Sequence, residues 1–457
     1  MGDQPAEAIS TDTRVYLKNL WIIAENLDLV VWMLASHKRA PEDNVRPSVR
    51  HGRLKRSASW RNLLKLTATG LAVVLVSGAS VGAYAFWDLT SSRKSDVQLV
   101  AGTLDHGNTD VVEAGALDGA VSILLVGTDS RAGQQLDDGE TGELNDVNML
   151  LTISADHTKA SVTSFPRDLM LPIPSCPSDT GELNYYPAMS EQPLNSALQY
   201  GGLACVALTI QELTKVQIDH AVTIDFNGTI AVSEAVGGVN VCVSTPINDP
   251  MSGLQLSAGE HTLEGVEALQ FLRSRYGVGD GGDLGRISNQ QQFMSNLVKK
   301  VKSEEVLTNP VRLYSLAKAT IENTSTSTSL TLPTILSIGE TVKDIDLNDI
   351  NFYQFPVITH PYNANKVVPD YTTATLLFEA IQSGTAVQAG QTGPATQVDP
   401  NSIPAEQPAA PETQANAPVA SQPGETANPS ASPNPGTEVI DNLRGQSAKE
   451  VTCTTGR

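Results

Sequence analysis

Short continuous apolar runs alternate, between residues 121 and 384, with segments whose apolar positions recur at helical spacing. Val121–Val126 is followed by Asn148–Ile153 and Ser161–Phe165, and short apolar runs bounded by turn residues are typical of buried strands. The other predicted strands are Ala221–Asp225, Val239–Val243 and Asn351–Phe355. The predicted helices are Asn195–Tyr200, Val206–Leu213, Phe226–Val236, Val266–Leu272, Ser288–Val301, Val311–Ala319 and Thr373–Ser383. The alternation predicts an α/β fold, a three-layer α/β/α sandwich around a mixed central sheet.

A longer apolar segment precedes this domain. Leu66–Trp87 carries no charged residue over 22 positions, which is long enough to cross a bilayer of roughly 30 Å. A basic run, Lys38–Lys65, comes before it and aromatic residues lie at its far end, so we expect the N-terminal side to be cytoplasmic. A cleaved signal peptide is the competing interpretation, but no clear cleavage site follows a short apolar core. The pattern predicts a single-pass type II protein of the cell membrane, extracytoplasmic after Asp88.

The remaining segments are assigned by composition. Residues 1–65 are predicted to be a cytoplasmic segment that is basic near the membrane, and residues 88–120 an acidic stalk. Within the first segment, Val15–Ala35 is apolar but charged, which leaves open an amphipathic membrane-surface helix or a start codon further downstream. Residues 385–435 are rich in Pro, Ala and Gln, which predicts a disordered linker. Residues 436–457 form a tail too short to fold alone.

The charge balance excludes one class of function. The chain has 30 basic and 50 acidic residues, a net charge of −20, whereas nucleic-acid binding requires a basic surface.

The four cysteines do not have the spacing of a zinc site. In an oxidising compartment, we expect Cys176 and Cys205, which flank a polar loop, to form a disulfide. Cys242 and Cys453 remain, and they can pair if the linker folds back. Four cysteines permit three pairings.

Four clusters of polar residues are candidates for chemistry. Two of them, Gly127–Arg131 and Pro166–Asp168, directly follow predicted strands, and Asn145–Asp146 precedes one. The fourth, Phe271–Arg286, contains three arginines, two aspartates and five glycines. Ligands of α/β proteins bind beyond the carboxyl ends of strands, and arginine forks suit phosphate. Structural ion pairs and a solvated glycine-rich loop are the alternatives, and these residues alone leave both open.

The spacing of Arg273 and Arg275 constrains the local structure. Residues two apart point away from each other on a helix but share a side in extended chain. If both arginines bind one phosphate group, the helix must therefore end near Leu272.

Together these segments resemble a known family. GTDSR, the aspartate of NDVNMLL, FPRDL, and LEGVEALQFLRSR followed by DGGDLGRISNQQQ are similar, in this order, to motifs of LytR-CpsA-Psr proteins, over roughly residues 120–302. The cysteines and the Pro/Ala-rich tail resemble high-GC Gram-positive members. The resemblance implies a Mg²⁺-dependent phosphotransferase, with Mn²⁺ as the alternative ion. Its expected reaction moves a glycopolymer from a polyprenyl-pyrophosphate carrier to the 6-hydroxyl of a muramic acid in peptidoglycan.

The resemblance also assigns residues. Asp129 and Asp146 match the metal-binding acids, and Asp168 matches the acid of the RD pair. Asp283 matches a catalytic acid that receives or orients the proton of the acceptor, acting with Arg275 and Arg286. The residues matched to the pyrophosphate site are Arg131, Arg167, Arg273, Arg275, Arg286 and Gln290. Asn289 stands where many relatives have arginine, which puts one phosphate contact in doubt.

The polymer that the resemblance favours is arabinogalactan, with teichoic acid-like and capsular polymers as alternatives. The partners implied are the lipid-linked glycan, peptidoglycan and the bilayer, with no nucleic acid. We also expect Val222, Ile224, Phe226, Ile230 and Val232 to line a polyprenyl slot or, alternatively, an ordinary core. The rival functions are a non-enzymatic scaffold that binds polyprenyl phosphate and a membrane-bound regulator. Pyrophosphatase activity, with water in place of the sugar hydroxyl, is an expected side reaction.

Overall fold

The computed structural model describes residues 59–91, 97–99, 119–129, 144–303, 310–398 and 437–457. Helix α1, Ser59–Ser91, contains a 22-residue stretch, Leu64–Ala85, that is long and apolar enough to cross a membrane. The predicted span, Leu66–Trp87, begins and ends two residues later than this stretch. Most of the predicted cytoplasmic segment and stalk, residues 399–435 of the linker and residue 436 of the tail lie outside the described residues.

The folded domain that follows mixes helices and strands throughout. Its helices are α2 (Ala197–Thr214), α3 (Phe226–Ala235), α4 (Gly265–Arg273), α5 (Asp283–Lys302), α6 (Pro310–Glu322), α7 (Leu332–Asp344) and α8 (Tyr371–Ser383). Strands β1 to β9 are Val121–Thr128, Asn145–Ile153, Ala160–Phe165, Met170–Ile173, Met189–Pro193, His220–Ile224, Val239–Thr245, Ile247–Asp249 and Leu254–Leu256. Strands β10 to β18 are Gly259–Leu263, Thr324–Thr326, Ile350–Gln354, Val357–His360, Asn363–Pro369, Ala386–Gln391, Thr396–Val398, Thr437–Ser447 and Thr452–Thr455.

The central sheet has eight strands in the order β11-β6-β1-β2-β3-β12-β17-β15. It is mixed, as predicted, because β1 pairs parallel with β6 and antiparallel with β2. Strand β3 likewise pairs antiparallel with β2 and parallel with β12. A second sheet, β10-β7-β18-β16, packs beside α4 and α5.

Alternating side chains of the central strands bury apolar residues on both faces of the sheet. Leu124 and Leu150 face a cluster that includes residues of α2 and α8, such as Val206 and Leu377. Their neighbours Ile123 and Leu151 face a separate cluster with residues of α5 and α7. Successive strand residues point to opposite faces, so these near-continuous apolar runs give the predicted three-layer α/β/α sandwich.

The chain after residue 384 differs from its predicted organisation. Ala386–Gln391 and Thr396–Val398, assigned to the linker, are strands, and so are Thr437–Ser447 and Thr452–Thr455, assigned to the tail. Strand β17 lies between β12 and β15 in the central sheet, and β18 pairs parallel with β7 in the second. The folded domain therefore extends well beyond residue 384. A tail too short to fold alone acquires structure here because existing strands supply its hydrogen-bond partners.

Both disulfides join distant parts of the domain. Cys176 is bonded to Cys205, the predicted pair, and Cys242 is bonded to Cys453. The second bond connects β7 to β18, where the two cysteines are direct register partners. This bond fixes the C-terminal strand to the domain. From the sequence, it was only one of several possible pairings.

Two helices differ from their predicted bounds in ways that matter. The predicted helices Asn195–Tyr200 and Val206–Leu213 are one helix, α2, with a kink at Gly201 and Gly202. The helix predicted to start at Ser288 begins at Asp283. The glycine-rich loop ends just before Asp283 and does not continue to Ser288. Its first turn therefore carries Asp283 and Arg286.

The kink yields a prediction about stability. Gly202 has φ 64° and ψ −155°, a region that side chains other than glycine's almost never adopt, and an added Cβ would meet the Asp179 carboxylate. Gly202→Ala should lower the free energy of unfolding by at least about 2 kcal/mol, measured by chemical denaturation. Gly384→Ala is the matched control: its φ of 70° and ψ of 15° are left-handed helical and its surroundings are open, so about 1 kcal/mol is expected. Equal losses in the two variants would contradict this account of the kink.

Candidate active site

A β-bulge between β1 and β2 presents the first acid of the site. Gly127 pairs with Val147, but Thr128 pairs with Asn145, so Asp146 has no partner in the register. Bulges redirect a side chain next to functional sites. A Cβ on Gly127 would come within 2.8 Å of the Val147 Cβ, so the bulge requires glycine there.

Arg167, directly after β3, connects the acids of the site. Its Nη1 donates to Asp146 Oδ1 at 2.9 Å, and its Nε lies 3.6 Å from Asp283 Oδ1. The backbone N–H of Arg167 also donates to Asp283 Oδ2 at 3.2 Å. This arginine therefore ties the start of α5 to the ends of β2 and β3.

Asp283 and Arg286 face each other across the first turn of α5. Arg286 Nη2 lies 2.7 Å from Asp283 Oδ1 and donates to the backbone carbonyl of Asp146 at 2.9 Å. Both side chains are more than nine-tenths buried. The aspartate at the helix N-terminus also benefits from the helix dipole.

Burial and neighbouring charges change the pKa of both arginines. Burial lowers the pKa of Arg286; Asp283 opposes this, while Arg167 and Arg275 add to it. Burial also acts to lower the pKa of Arg167, but its ion pair with Asp146 outweighs this and leaves it raised. Both guanidiniums remain charged at neutral pH because they start far above it. The positive charges of Arg167 and Arg275 therefore both act on Arg286.

The arginines hold unused hydrogen-bond donors. The Nε atoms of Arg167, Arg275 and Arg286 are buried and have no hydrogen-bond partner among the described residues. Buried donors are normally satisfied, and each exception calls for an explanation. An anion bound between these side chains would satisfy them.

The arginines near the end of α4 diverge. Helix α4 ends at Arg273, and Ser274 is extended, as the spacing argument required. Arg273 is exposed and lies over the Phe226 ring, 4.5 Å from its centroid, while Arg275 lies toward Tyr276 at 5.5 Å. Arg275 thus acts on Arg286 through its charge, whereas Arg273 lies at the side of α3.

A buried carboxylate that sequence reasoning missed shapes this turn. Asp249, only 1% exposed, accepts hydrogen bonds from the Ser274 hydroxyl at 2.9 Å and the backbone N–H of Arg275 at 2.8 Å. The N–H groups of Gly277 and Met251 donate to it as well. Burial acts to raise the pKa of Asp249, but these donors outweigh it and leave the pKa below its ordinary value. Asp249 is the last residue of the short strand β8, which the sequence pattern did not predict, and no motif lies near it, so nothing in the sequence indicated its role.

Lys366 is a second residue that the sequence did not indicate. Its Nζ forms an ion pair with Asp168 Oδ1, and the Asp168 carboxylate lies 3.8 Å from Arg167 Nε. Lys366 lies on β14, and the backbone N–H of Val367 donates to the Asp168 carbonyl at 3.3 Å. The hairpin of β13 and β14 is thereby joined to the turn after β3.

The other predicted site residues have different surroundings. Asp129 exchanges hydrogen bonds with the backbone of Leu144, next to the bulge. Gln290 is buried and donates to the Leu272 carbonyl at 3.1 Å, which supports the end of α4. Asn289 is fully buried and accepts from the Thr454 hydroxyl, so it faces β18. Arg131 lies outside the described residues.

The donor set is compatible with a hard divalent cation. Mg²⁺ prefers oxygen ligands, often one or two carboxylates together with substrate phosphates. Asp146 Oδ2 lies 4.0 Å from Arg286 Nη1, outside hydrogen-bond range, and its side chain is 24% exposed. Asp146 can thus offer an oxygen while Oδ1 stays on Arg167. No group of three His, Cys, Asp or Glu ligands occurs in the described ranges.

Asp249 yields a second prediction, on stability and pH. Asp249→Asn places amide hydrogens against backbone donors, so at pH 7 it should lower the free energy of unfolding by about 2 kcal/mol. Because the folded pKa is depressed, the wild-type advantage is complete above the unfolded pKa of about 4. It shrinks as pH falls through the folded value. Chemical denaturation between pH 7 and pH 3 measures both effects.

Asp225→Asn is the control for that measurement. Asp225 caps α3 by accepting from the Gly228 N–H at 2.7 Å, and asparagine caps helices about as well as aspartate. It should therefore change stability little. If Asp249→Asn were equally harmless, the carboxylate would not be what holds the turn.

Comparisons with known proteins identify the family of this chain. The model of the LytR_cpsA_psr family matches residues 87–382. The cell wall biosynthesis protein LcpA of Corynebacterium glutamicum is 32% identical over 238 residues, 47% of this chain and 46% of that protein. The chain therefore spans about half the length of LcpA. The polyisoprenyl-teichoic acid–peptidoglycan teichoic acid transferase TagT of Bacillus subtilis is 28% identical over 263 residues, 56% of this chain and 75% of that protein.

Among solved structures, TagV of B. subtilis aligns with a TM-score of 0.47 at 23% identity, covering 58% of this chain and 97% of that one. The family match covers more than half of the chain. The resemblance predicted from the motifs is confirmed, and the chain belongs to the LytR_cpsA_psr family.

Proposed function

We propose that this protein is a membrane-anchored phosphotransferase that attaches a glycopolymer to peptidoglycan. The donor would be a polyprenyl-pyrophosphate-linked glycan and the acceptor the 6-hydroxyl of a muramic acid. The observation that carries the proposal is the group of three arginines, Arg167, Arg275 and Arg286, whose Nε atoms are buried and have no hydrogen-bond partner among the described residues. The relative TagT is a polyisoprenyl-teichoic acid–peptidoglycan teichoic acid transferase, which supports this type of donor and acceptor.

Charge counting indicates that a doubly charged ligand would need a bound cation. The linked ion pairs contain three cations, Arg167, Arg286 and Lys366, and three carboxylates, Asp146, Asp168 and Asp283. This cluster is formally neutral. Arg275 adds positive charge beside it, but a pyrophosphate carries at least two negative charges. A bound divalent cation would supply the rest, and it would stabilise charge that develops on the phosphate oxygens.

Asp146 and Asp129 would hold that cation, most simply Mg²⁺, with Mn²⁺ as the alternative. Asp146 has an accessible oxygen and sits at the bulge, while Asp129 ends the neighbouring strand. The arginines would contact the remaining phosphate oxygens. Phosphoryl transfer depends mainly on such positioning and electrostatic stabilisation.

The proposed reaction transfers the glycan with its phosphate to the acceptor hydroxyl. The acceptor hydroxyl oxygen attacks the phosphorus that carries the glycan, and the bond from that phosphorus to the bridging oxygen breaks. Polyprenyl phosphate leaves with the bond's electrons, a sugar phosphodiester forms, and the hydroxyl proton is released. Asp283 would orient this hydroxyl or receive its proton. Arg286 and the Arg167 N–H already contact its carboxylate oxygens, which favours the orienting role.

The expected polyprenyl slot has partly exposed apolar side chains. Val222, Ile224, Phe226, Ile230 and Val232 are all half-buried, and none belongs to the buried core clusters. Arg273 lies over Phe226, so a cation stands beside this apolar set. That arrangement suits a lipid tail joined to a phosphate headgroup.

The polymer that we favour is arabinogalactan, because the chain resembles high-GC members and the relative LcpA comes from Corynebacterium glutamicum. The apolar helix α1 would anchor the domain outside the cytoplasm. A scaffold that binds polyprenyl phosphate without turnover is the second candidate. The same unsatisfied donors favour this scaffold, because they can bind an anion without any reaction taking place.

The test uses the full chain in lipid nanodiscs. It is mixed with polyprenyl-pyrophosphate-linked arabinogalactan, teichoic acid-like or capsular oligomers and a peptidoglycan acceptor, with Mg²⁺ or with chelator. Attached glycan and released polyprenyl phosphate are both measured. We expect attachment with one polymer class only, and at least about tenfold less after chelation, equivalent to about 1.4 kcal/mol of barrier.

Arg286→Lys is the informative variant because it keeps the charge but loses the planar fork. It should lower kcat/KM at least about tenfold. Lys215→Ala, which removes an exposed cation paired with Glu212, should leave kcat/KM unchanged. Release of polyprenyl phosphate without attachment would indicate a pyrophosphatase. Binding without either product would indicate the scaffold.

A further inference from the structure

We propose that the segment Gln446–Arg457, here named the C-terminal strap, positions the catalytic loop, and that Thr454 is a positioning residue within it. The catalytic loop is residues 275–283, from Arg275 to Asp283. The inference rests on the proposed function for what the loop does, but not for how the loop is held. The disulfide between Cys242 and Cys453 is the covalent tie of the strap.

The strap runs along helix α5 towards its N-terminus. Near the far end of the helix, Lys299 Nζ donates to the Glu450 carbonyl at 2.9 Å, and the Ser295 hydroxyl donates to the Ala448 carbonyl at 3.2 Å. One turn closer to the site, Gln292 Nε2 donates to the carbonyls of Cys242 and Thr452. The hydrogen bonds thus follow the helix that carries Asp283 and Arg286.

Thr454 makes the next contacts along this path. Its hydroxyl, fully buried, lies 2.9 Å from Asn289 Oδ1 and 2.6 Å from Gln292 Oε1. Asn289 is the residue that departs from the arginine of many relatives. In this chain it serves as an acceptor for the strap, one turn from Arg286.

The last residues of the strap bind the catalytic loop directly. Gly279 N–H donates to the Thr455 carbonyl at 3.0 Å, and Arg457 N–H donates to the Gly277 carbonyl at 3.0 Å. Val278, fully buried, forms a bridge with Gly456. A Cβ on Gly456 would collide with the Pro246 carbonyl, so the strap passes close to the backbone on its other side as well.

The loop needs external support because of its own composition. Gly279 and Gly281 have φ of 50° and 75°, and glycine loses more conformational entropy on ordering than other residues. Arg275 precedes this glycine run and Asp283 follows it. A shift of about 1 Å at a catalytic group can lower a rate by about a hundredfold. We therefore expect loss of the strap's hydrogen bonds to lower the rate of catalysis more than it lowers the free energy of unfolding.

The disulfide makes docking of the strap persistent. Cys453 lies opposite Cys242 in the parallel pair of β18 and β7. A cross-link across 211 positions removes much of the entropy that the strap would gain by detaching. In the absence of the bond, the strap would be held by its hydrogen bonds and by Thr452 and Thr454 in the buried interface.

The experiment uses the full chain in nanodiscs and two independent test variants. Thr454→Val removes the hydroxyl but keeps the shape and the disulfide, and Cys242→Ser/Cys453→Ser removes the tie. Hydrogen–deuterium exchange of peptides covering 275–283 is measured together with kcat and KM for glycan transfer. We expect exchange in this stretch to rise several-fold and kcat to fall at least about tenfold, with a smaller change in KM.

Matched controls separate positioning from general destabilisation. Thr209→Val removes a hydroxyl that is equally buried but bonds within α2 to the Cys205 carbonyl. Cys176→Ser/Cys205→Ser removes the other disulfide. Neither should raise exchange in 275–283 while the protein stays folded.

Unchanged exchange of the loop in Thr454→Val, or an equal rise in the controls, would overturn the proposal. If the wild type proved to have no transferase activity, the proposed function would fail while the exchange result still decided whether the strap holds the loop.

Discussion

Buried charge is the constraint on which this structure depends. Arg286 and Asp283 are both almost completely removed from water, and a charge so placed is costly unless an opposite charge and hydrogen bonds compensate it. Arg286 and Asp283 are 2.7 Å apart. Arg167, 3.6 Å from Asp283, and Asp146, 4.0 Å from Arg286, complete that compensation and are themselves 2.9 Å apart. Each acid therefore fixes the position of an arginine, and each arginine fixes an acid.

The elements that carry these charges meet because of where they end. Asp146 sits at a bulge, Arg167 follows β3, and Asp283 opens α5. The ends of strands and helices are the places where backbone donors lack partners within the element, so charged side chains can be combined there with free N–H groups. The Arg167 N–H bond to Asp283 is an example. The α/β/α sandwich is the rigid scaffold, and the charged residues of the site lie at the ends of its strands and helices.

Much of the central sheet could be predicted from sequence because Val121–Val126 and similar runs must be buried on both faces. Arg167 and Asp168 could be named because they follow such a strand, and Asp146, Asp283 and Arg286 because they match family motifs. Asp249 and Lys366 could not, since each reaches the site from a segment without its own pattern. The C-terminal strands were missed for a related reason. Thr452–Thr455 is polar and short, and it becomes a strand only because β7, β16 and α5 surround it.

The short stretch Val97–Leu99 has a consequence for the exposed rim of the central sheet. Val97 donates to the Thr326 carbonyl and accepts from the Thr328 N–H, both at 2.9 Å, so it pairs alongside β11 at the end of the strand order. Unpaired strand edges are templates for association with other chains. The residues that lead from the apolar helix into the domain thus also cover one open edge. A soluble fragment beginning after Leu99 would expose that edge and would be prone to aggregate even though its site was intact.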